Sequence, residues 1–319
     1  MPVTYPRVAV LLAACNGIRW IEEQLLSILC QSASDVTVFI SIDPSTDGTS
    51  EWCTRYAATN KRVEILPPSE TLGGAARNFF RLLRDVSFEG YDYVAFADQD
   101  DIWHEDKLER ATHAIQAHGV DVYSSNVTAF WPDGKTRLLD KAQAQVRWDY
   151  LFEAAGPGCT YVMSQQVASA IKKSILANWA DLQSVSLHDW YCYAFARSRN
   201  FKWFIDPKPS LQYRQHESNQ FGANVGLRSL ILRYQTIHDG WWFSQIRLIT
   251  RLVGETTDPF VQSWLSMERV QLLKLSFSAW RCRRRVRDKC LFFLICWAAA
   301  LFGVKGVRPD PGSDRRAES

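Results

Sequence analysis

The sequence predicts an α/β fold: strands alternating with helices around a parallel sheet, followed by a helical C-terminal extension. Three observations carry this. Short apolar, β-branched runs recur through the first hundred residues, separated by segments with helical spacing. Turn-prone and acidic stretches fall just after those runs, where an open parallel sheet binds its ligands. From about residue 227 the strand pattern gives way to helical spacing with many tryptophans.

The elements follow in order. "RVAVLLAA" (Arg7–Ala14) is a near-continuous apolar run, as expected for a strand buried on both faces. In "IRWIEEQLLSILCQS", Ile18, Ile21, Leu25, Ile28 and Leu29 recur at helical spacing. "DVTVFISID" (Asp35–Asp43) is a second strand that ends in the turn-prone "DPSTDGT". "TSEWCTRYAAT" reads as a helix, "RVEILP" as a third strand, "GGAARNFFRLLRDV" as a helix with a glycine start, and "YDYVAFADQDD" as a fourth strand. Such alternation implies right-handed βαβ units. Beyond Lys107 the pattern changes. "LERATHAIQAH" is helical, and "DVYSSNVTAFW" reads as one antiparallel strand leading into the turn "PDGK". "GPGCTYVMS" is a further strand, "SLHDWYCYAFARS" a helix opening near His188, and "KWFIDPKPSLQYRQH" strand-like with proline interruptions.

The chain has 319 residues, 47% hydrophobic and 22% charged, which fits a globular protein with a substantial core. A formal charge of +3 is too small to indicate nucleic acid. The eight cysteines form no CxxC pair and no zinc spacing, and read as reduced and mostly buried, hence a cytosolic protein. The N-terminus reads as a first strand rather than a signal peptide.

In "WRCRRRVRDKCLFFLICWAAALFG" (Trp280–Gly303), six basic residues directly precede a thirteen-residue apolar run. A normal transmembrane helix needs about 20 apolar residues. Two readings follow: a buried C-terminal helix with a basic lead-in, or an interfacial segment with arginines on anionic headgroups. The tail "RPDPGSDRRAES" reads as disordered.

"ADQDDIW" (Ala97–Trp103) gathers Asp98, Asp100 and Asp101 at a strand end. Carboxylates so close are tolerable around a hard cation such as Mg²⁺ or Mn²⁺. Alternation along an extended segment turns Asp98 and Asp100 toward one ligand and Gln99 away. Asp101 then points elsewhere and caps a helix starting near Trp103. The stretch also reads as a solvated acidic turn.

As a set in this order, the motifs resemble glycosyltransferase family 2, over roughly Arg7 to Gly222. "CNGIRWIEEQLLSILCQ" resembles the family's first loop and helix, and "DPSTDGT" its nucleoside loop. "LGGAARNF" resembles the next helix start and "ADQDDIWHEDKL" the metal-binding strand end. "HDW" (His188–Trp190) resembles the segment carrying the catalytic base, and "YRQHESNQFG" the closing segment. "DQDDIW" with "YRQH" is most similar to rhamnosyltransferase-type members of bacterial polysaccharide synthesis.

The resemblance implies a GT-A (Rossmann-like) nucleotide-diphospho-sugar transferase fold with a C-terminal helical extension. Its domains would be a transferase domain over 1–226, divided at 101/102 into nucleotide-sugar and acceptor halves, and a helical region over 227–319. It implies an inverting enzyme that takes a sugar from a dTDP- or UDP-linked donor to a saccharide or lipid-linked acceptor. The enzyme would be cytoplasmic and peripheral to the inner face of the cell membrane. Ile42 departs from the paired acids common in the nucleoside loop, leaving Asp43 as the base contact. A divalent ion on the departing diphosphate would stabilise its charge, with Asp100 as ligand and Asp98 on ribose or metal. Arg77 and His216 would face the diphosphate, His216 as a metal ligand or phosphate contact. Asp189 would be the base that deprotonates the acceptor. The charge of a helix start is expected to outweigh burial and keep Asp189 ionised. His188 stands where an acid is common. Trp103 and Trp190, beside the two acidic motifs, read either as sugar platforms or as core. Two other readings are a nucleotidyltransferase of related fold, which the glycine-poor "LLAACNGIRW" disfavours, and a non-catalytic membrane-associated binding protein.

Overall fold

A computed structural model describes residues 4–68, 70–216 and 240–303. The domain boundary expected at 226/227, residues 217–222 of the closing segment, and the C-terminal tail lie outside them. The chain forms two compact units: Met1–Ala142 with Ala154–Ala223, and Gln143–Glu153 with Asn224–Ser319.

The first unit is built on a seven-stranded sheet. Its parallel core takes β1 (Arg7–Ala14), β2 (Asp35–Ile42), β3 (Val63–Ile65) and β4 (Tyr93–Asp98). Seven of the eight residues of β1 are buried, as its unbroken apolar run requires. Helices α1 (Ile21–Leu29), α2 (Thr49–Thr59) and α3 (Ala75–Asp85) connect these strands. The spaced residues Ile21, Leu25, Ile28 and Leu29 are all buried. The remaining strands are β6 (Val122–Ser125), β9 (Val162–Ser164) and β10 (Trp203–Asp206). The order is β10-β6-β9-β4-β1-β2-β3, with β9 antiparallel to both of its neighbours.

A second, four-stranded sheet holds β5 (Ile102–Trp103), β7 (Val127–Phe130), β8 (Thr136–Leu139) and β11 (Leu211–Arg214), in the order β5-β11-β7-β8. Helices α4 (Lys107–His118), α5 (Gln165–Ala177), α6 (Trp179–Leu182) and α7 (His188–Ser198) complete the unit. The stretch expected to be one strand, "DVYSSNVTAFW", is two. It breaks at the buried Asn126, whose amide bonds to Asp140 and the Pro207 carbonyl and accepts from the Lys141 and Ala142 amides. The break passes β6 to one sheet and β7 to the other. The turn "PDGK" does close a hairpin, β7–β8. No helix starts at Trp103; β5 intervenes, and α4 opens at Lys107.

The described part of the second unit is helical, with Trp241–Leu252, Arg269–Ser276 and Val286–Phe302 its longest described segments. Its core is aromatic: Phe152 packs against Trp242, Trp264 and Phe292. The basic lead-in is partly structural. Arg284 is buried against Asp149 and Glu153, and Arg283 pairs with Glu153 and Asp288. No described helix is long and apolar enough to cross a membrane. The described residues contain no disulfide, and five of the eight cysteines are buried.

Candidate active site

The sheet register sets the site. Ala13 lies opposite Asp98 and Ala14 opposite Ile42, so the carboxyl ends of β4, β1 and β2 stand side by side. Side chains knit the ends together. Gln99 accepts from the Cys15 amide and donates to the Cys15 carbonyl, both at 2.8 Å. The amide of Gln24 donates to the Asp98 carbonyl at 2.8 Å. Asn78, inside α3, donates to the carbonyls of Ala14 and Ser41.

Asp43 follows β2 directly. Its two oxygens accept from the amides of Leu72 (2.7 Å) and Gly73 (3.1 Å). Positive φ at Gly73 and Gly74 lets this loop turn its amides onto the carboxylate before α3 begins. Asp43 therefore organises the loop beside the nucleoside-type turn. Arg77 supports the same loop: its guanidinium donates to the Leu72 carbonyl at 3.1 Å and the Gln183 carbonyl at 2.9 Å.

The three carboxylates of "DQDD" have three different surroundings. Antiparallel pairing of β11 with β5 sets Leu211 opposite Trp103 and Gln212 opposite Ile102. The chain beyond β11 consequently runs back over the aspartates. Oδ2 of Asp100 lies 2.6 Å from Nε2 of His216, and the His216 ring stacks on Trp20 at 4.1 Å. Arg214 donates through Nε to the Asp100 carbonyl and pairs with Glu23. Asp101 does not cap a helix. It is fully buried; Oδ1 accepts the Arg214 amide at 3.2 Å, and Oδ2 has no N–H or O–H partner.

Asp98, Asp101 and the Cys159 thiol bring ligand atoms within 4.8 Å of one another. Lys107 reaches the same region fully buried. Its ammonium donates to the Cys159 carbonyl at 2.6 Å and sits 3.2 Å from the Trp103 ring centre. Burial pushes Asp98 up to about 7, with the Asp100 and Asp189 charges adding to it. Burial raises Asp101 well above the carboxylate range, with the Asp100 and Asp98 charges adding to it. Burial also brings Lys107 down to about 7, against the pull of Cys159, Asp101 and Asp98. This lysine is the internal counter-charge that lets the acidic strand end fold.

Asp189 is the second residue of α7. Burial moves its carboxyl up to about 6, so burial outweighs the helix start, but the group still ionises at neutral pH as the sequence expectation required. Amides of Trp190 and Gly158 and the Lys141 charge hold it from rising further. Asp189 lies close enough to Asp98 to raise that residue's pKa. His188 does not tune it by charge: the imidazole is buried face to face with Phe79 at 3.9 Å, and burial lowers it to about 3. Gly158 is where the chain passes α7, and a Cβ there would stand 2.7 Å from Nε2 of His188 and 3.0 Å from Cβ of Asp189. Trp103 and Trp190 are both core residues, 3% and 2% exposed.

Sequence reasoning missed Lys107, Cys159, Gly158, Arg214 and Trp20. "DKL", "YRQH" and "CNGIRW" offered a signal, in that Lys107, Arg214 and Trp20 lie within motifs already singled out.

Asp100 and His216 keep about 15% of their side-chain surface accessible, whereas Asp101 and Cys159 are sealed beside an ammonium. Oxygen donors with one imidazole suit Mg²⁺ or Mn²⁺. Asp100 and His216, in contact and partly accessible, have the donor chemistry for a hard divalent ion, while the ligand atoms that converge most closely among the described residues are those of Asp98, Asp101 and Cys159.

A parallel β3-β2-β1-β4 core, an antiparallel β9 and a strand-end acidic cluster closed by a second sheet make this a GT-A fold. Staphylococcus aureus TarS 1–349 in complex with UDP-GlcNAc superposes with a TM-score of 0.53 at 13% identity, covering 96% of this chain and 97% of that one. Its complex with UDP gives 0.52, also at 13%, covering 93% and 92%. The profile of Glycosyl transferase family 2 matches residues 9–173, slightly more than half of the chain. The dTDP-rhamnosyl transferase RfbG of Shigella flexneri is 42% identical over 285 residues, 89% of this chain and 98% of that protein. The chain belongs to glycosyltransferase family 2, which sets aside the nucleotidyltransferase and non-catalytic readings.

Proposed function

We propose that this enzyme is an inverting rhamnosyltransferase of cell-surface polysaccharide synthesis. It takes rhamnose from a dTDP-linked donor to a saccharide or lipid-linked saccharide acceptor at the inner face of the cell membrane. The donor assignment is supported by the 42% identity to RfbG, which extends through both compact units.

The chemistry rests on one observation: Asp189 stands at the start of α7, within electrostatic reach of the β4 carboxylates. Asp189 accepts the proton of the acceptor hydroxyl. The acceptor oxygen bonds to the anomeric carbon from the face opposite the leaving group, and the C–O bond to the diphosphate breaks with its electron pair on the diphosphate. A carboxyl near 6 suits this work: it is ionised at neutral pH and basic enough to take the proton. Asp98, Asp100 and His216 would hold Mg²⁺ or Mn²⁺, which when bound neutralises charge on the leaving diphosphate. Asp43 orders the Leu72–Gly73 loop beside the nucleoside, and Arg77 braces that loop from the other side.

A donor panel tests the reading. Purified enzyme is offered dTDP-rhamnose, dTDP-glucose, UDP-glucose and UDP-GlcNAc, and hydrolysis or transfer is read by mass spectrometry. Turnover of dTDP-rhamnose above the others is expected; preference for a UDP-hexose would overturn the donor assignment.

A further inference from the structure

The terminal helix Val286–Phe302 has two apolar faces, and only one is needed inside its own unit. Phe292, Cys296, Ala299 and Ala300 are buried. On the other side Leu291, Leu294, Trp297, Leu301 and Phe302 are exposed, Leu294 by 62% and Phe302 by 83%. The spacing of Leu294, Trp297 and Leu301 makes a continuous stripe along about two turns. The earlier helix Arg269–Ser276 and the residue after it extend the surface: Val270 is exposed, and Phe277 is 74% exposed. A chain of rings links the two segments, Phe277 to Phe293 at 5.8 Å and Phe293 to Trp297 at 5.9 Å.

Around this surface the exposed charge is mostly positive. Arg269, Lys274, Arg281, Arg285 and Arg287 are exposed, and Lys289 lies 5.7 Å from the ring centre of exposed Trp280. Arg283 and Arg284 are occupied by internal carboxylates and Arg287 pairs with Asp288 at 3.2 Å, whereas Arg281 and Arg285 are exposed and form no ion pair with a carboxylate among the described residues.

We infer that this face is a docking surface for an anionic lipid bilayer. Exposed leucines and aromatics at a basic rim match an acyl boundary beneath negative headgroups. A second copy of the chain fits less well, since a two-fold contact would bring the same basic rim against itself. The inference rests on the proposed membrane-side function and assigns it to named residues.

The test uses the full chain and flotation with vesicles of phosphatidylcholine alone or with about a third phosphatidylglycerol. Binding to the anionic vesicles, weakened by salt, is expected. Leu294→Glu with Leu301→Glu should lower the partition constant by about a hundredfold. Arg285→Glu with Arg287→Glu should remove the preference for phosphatidylglycerol. Should the leucine pair unfold the protein, Leu294→Asn alone carries the same test. A wild-type chain that ignores anionic vesicles, or a folded leucine variant that binds like wild type, overturns the inference. So does a dimer in sedimentation that the leucine pair dissociates while no vesicle binding is seen. Donor turnover with a water-soluble acceptor is measured in parallel. Intact turnover without vesicle binding sinks the docking surface alone; vesicle binding without turnover sinks the transfer reading alone.

Discussion

Nε2 of His216 meets Oδ2 of Asp100 at 2.6 Å across 116 positions of sequence. The contact closes the second sheet over the acidic strand end. It joins the two groups proposed to share an exchangeable ion. Removing divalent ions with EDTA should abolish transfer, and Mn²⁺ should restore it. Asp100→Asn should reduce the rate by about a hundredfold or more. His216→Ala should raise the Mn²⁺ concentration for half-activation about tenfold or more. Turnover of Asp100→Asn equal to wild type in excess EDTA would refute the metal role.

The Asp189 carboxyl near 6 makes a pH prediction. The base works ionised, so kcat/KM should fall as pH drops through about 6 and level off above it. The sign for stability is the reverse. Its folded pKa lies above the ordinary 3.8, so its contribution is full below that value and is lost as pH rises through about 6. A profile with no acidic limb between pH 5 and 7, about one unit to either side, would count against Asp189 as the base.

Gly158 predicts a steric effect on catalysis. Gly158→Ala puts a methyl group against the His188 ring and Cβ of Asp189. Buried rings fix His188 from the far side, so the strain passes to α7. Stability should fall by about 1–3 kcal/mol, and transfer should drop by about tenfold or more through misplacement of the base. Donor affinity measured by calorimetry should stay within about twofold of wild type, since the donor loops are untouched. Unchanged transfer would show that the close approach does not position Asp189.

Lys107→Met removes the ammonium from between Asp98, Asp101 and the Trp103 ring. Asp98, near 7 and ionised in part, then loses its buried counter-charge, which costs about 3–5 kcal/mol where it is ionised. Denaturant unfolding checks this; a loss under about 1 kcal/mol would mean that the carboxylates are protonated and need no cation.

The β1-to-β4 half of the fold was readable because buried parallel strands are unbroken apolar runs and their helices repeat every three to four residues. The strand-end positions of Asp43, Asp98 and Asp100 were readable for the same reason: they stand at the ends of those runs. What escaped depends on distant pairing. The two-residue strand β5 exists because β11 pairs with it about a hundred positions on, and nothing local marks it. The break at Asn126 is set by partners at Asp140 and Pro207. Asp101 as a helix cap was a local inference that lost to long-range burial beside Cys159. The basic lead-in of the terminal helix read as uniform, but Asp149 and Glu153, more than a hundred residues earlier, single out Arg283 and Arg284.

The central claim is that Asp189 takes the acceptor proton while the β4 carboxylates serve the donor. Asp189→Asn is nearly isosteric and removes proton acceptance alone. One experiment measures transfer rate and donor affinity for Asp189→Asn and Asp100→Asn side by side. The account predicts that Asp189→Asn loses about a hundredfold or more in transfer with donor affinity unchanged, and that Asp100→Asn loses both. Transfer by Asp189→Asn at the wild-type rate would place the base elsewhere and contradict the account.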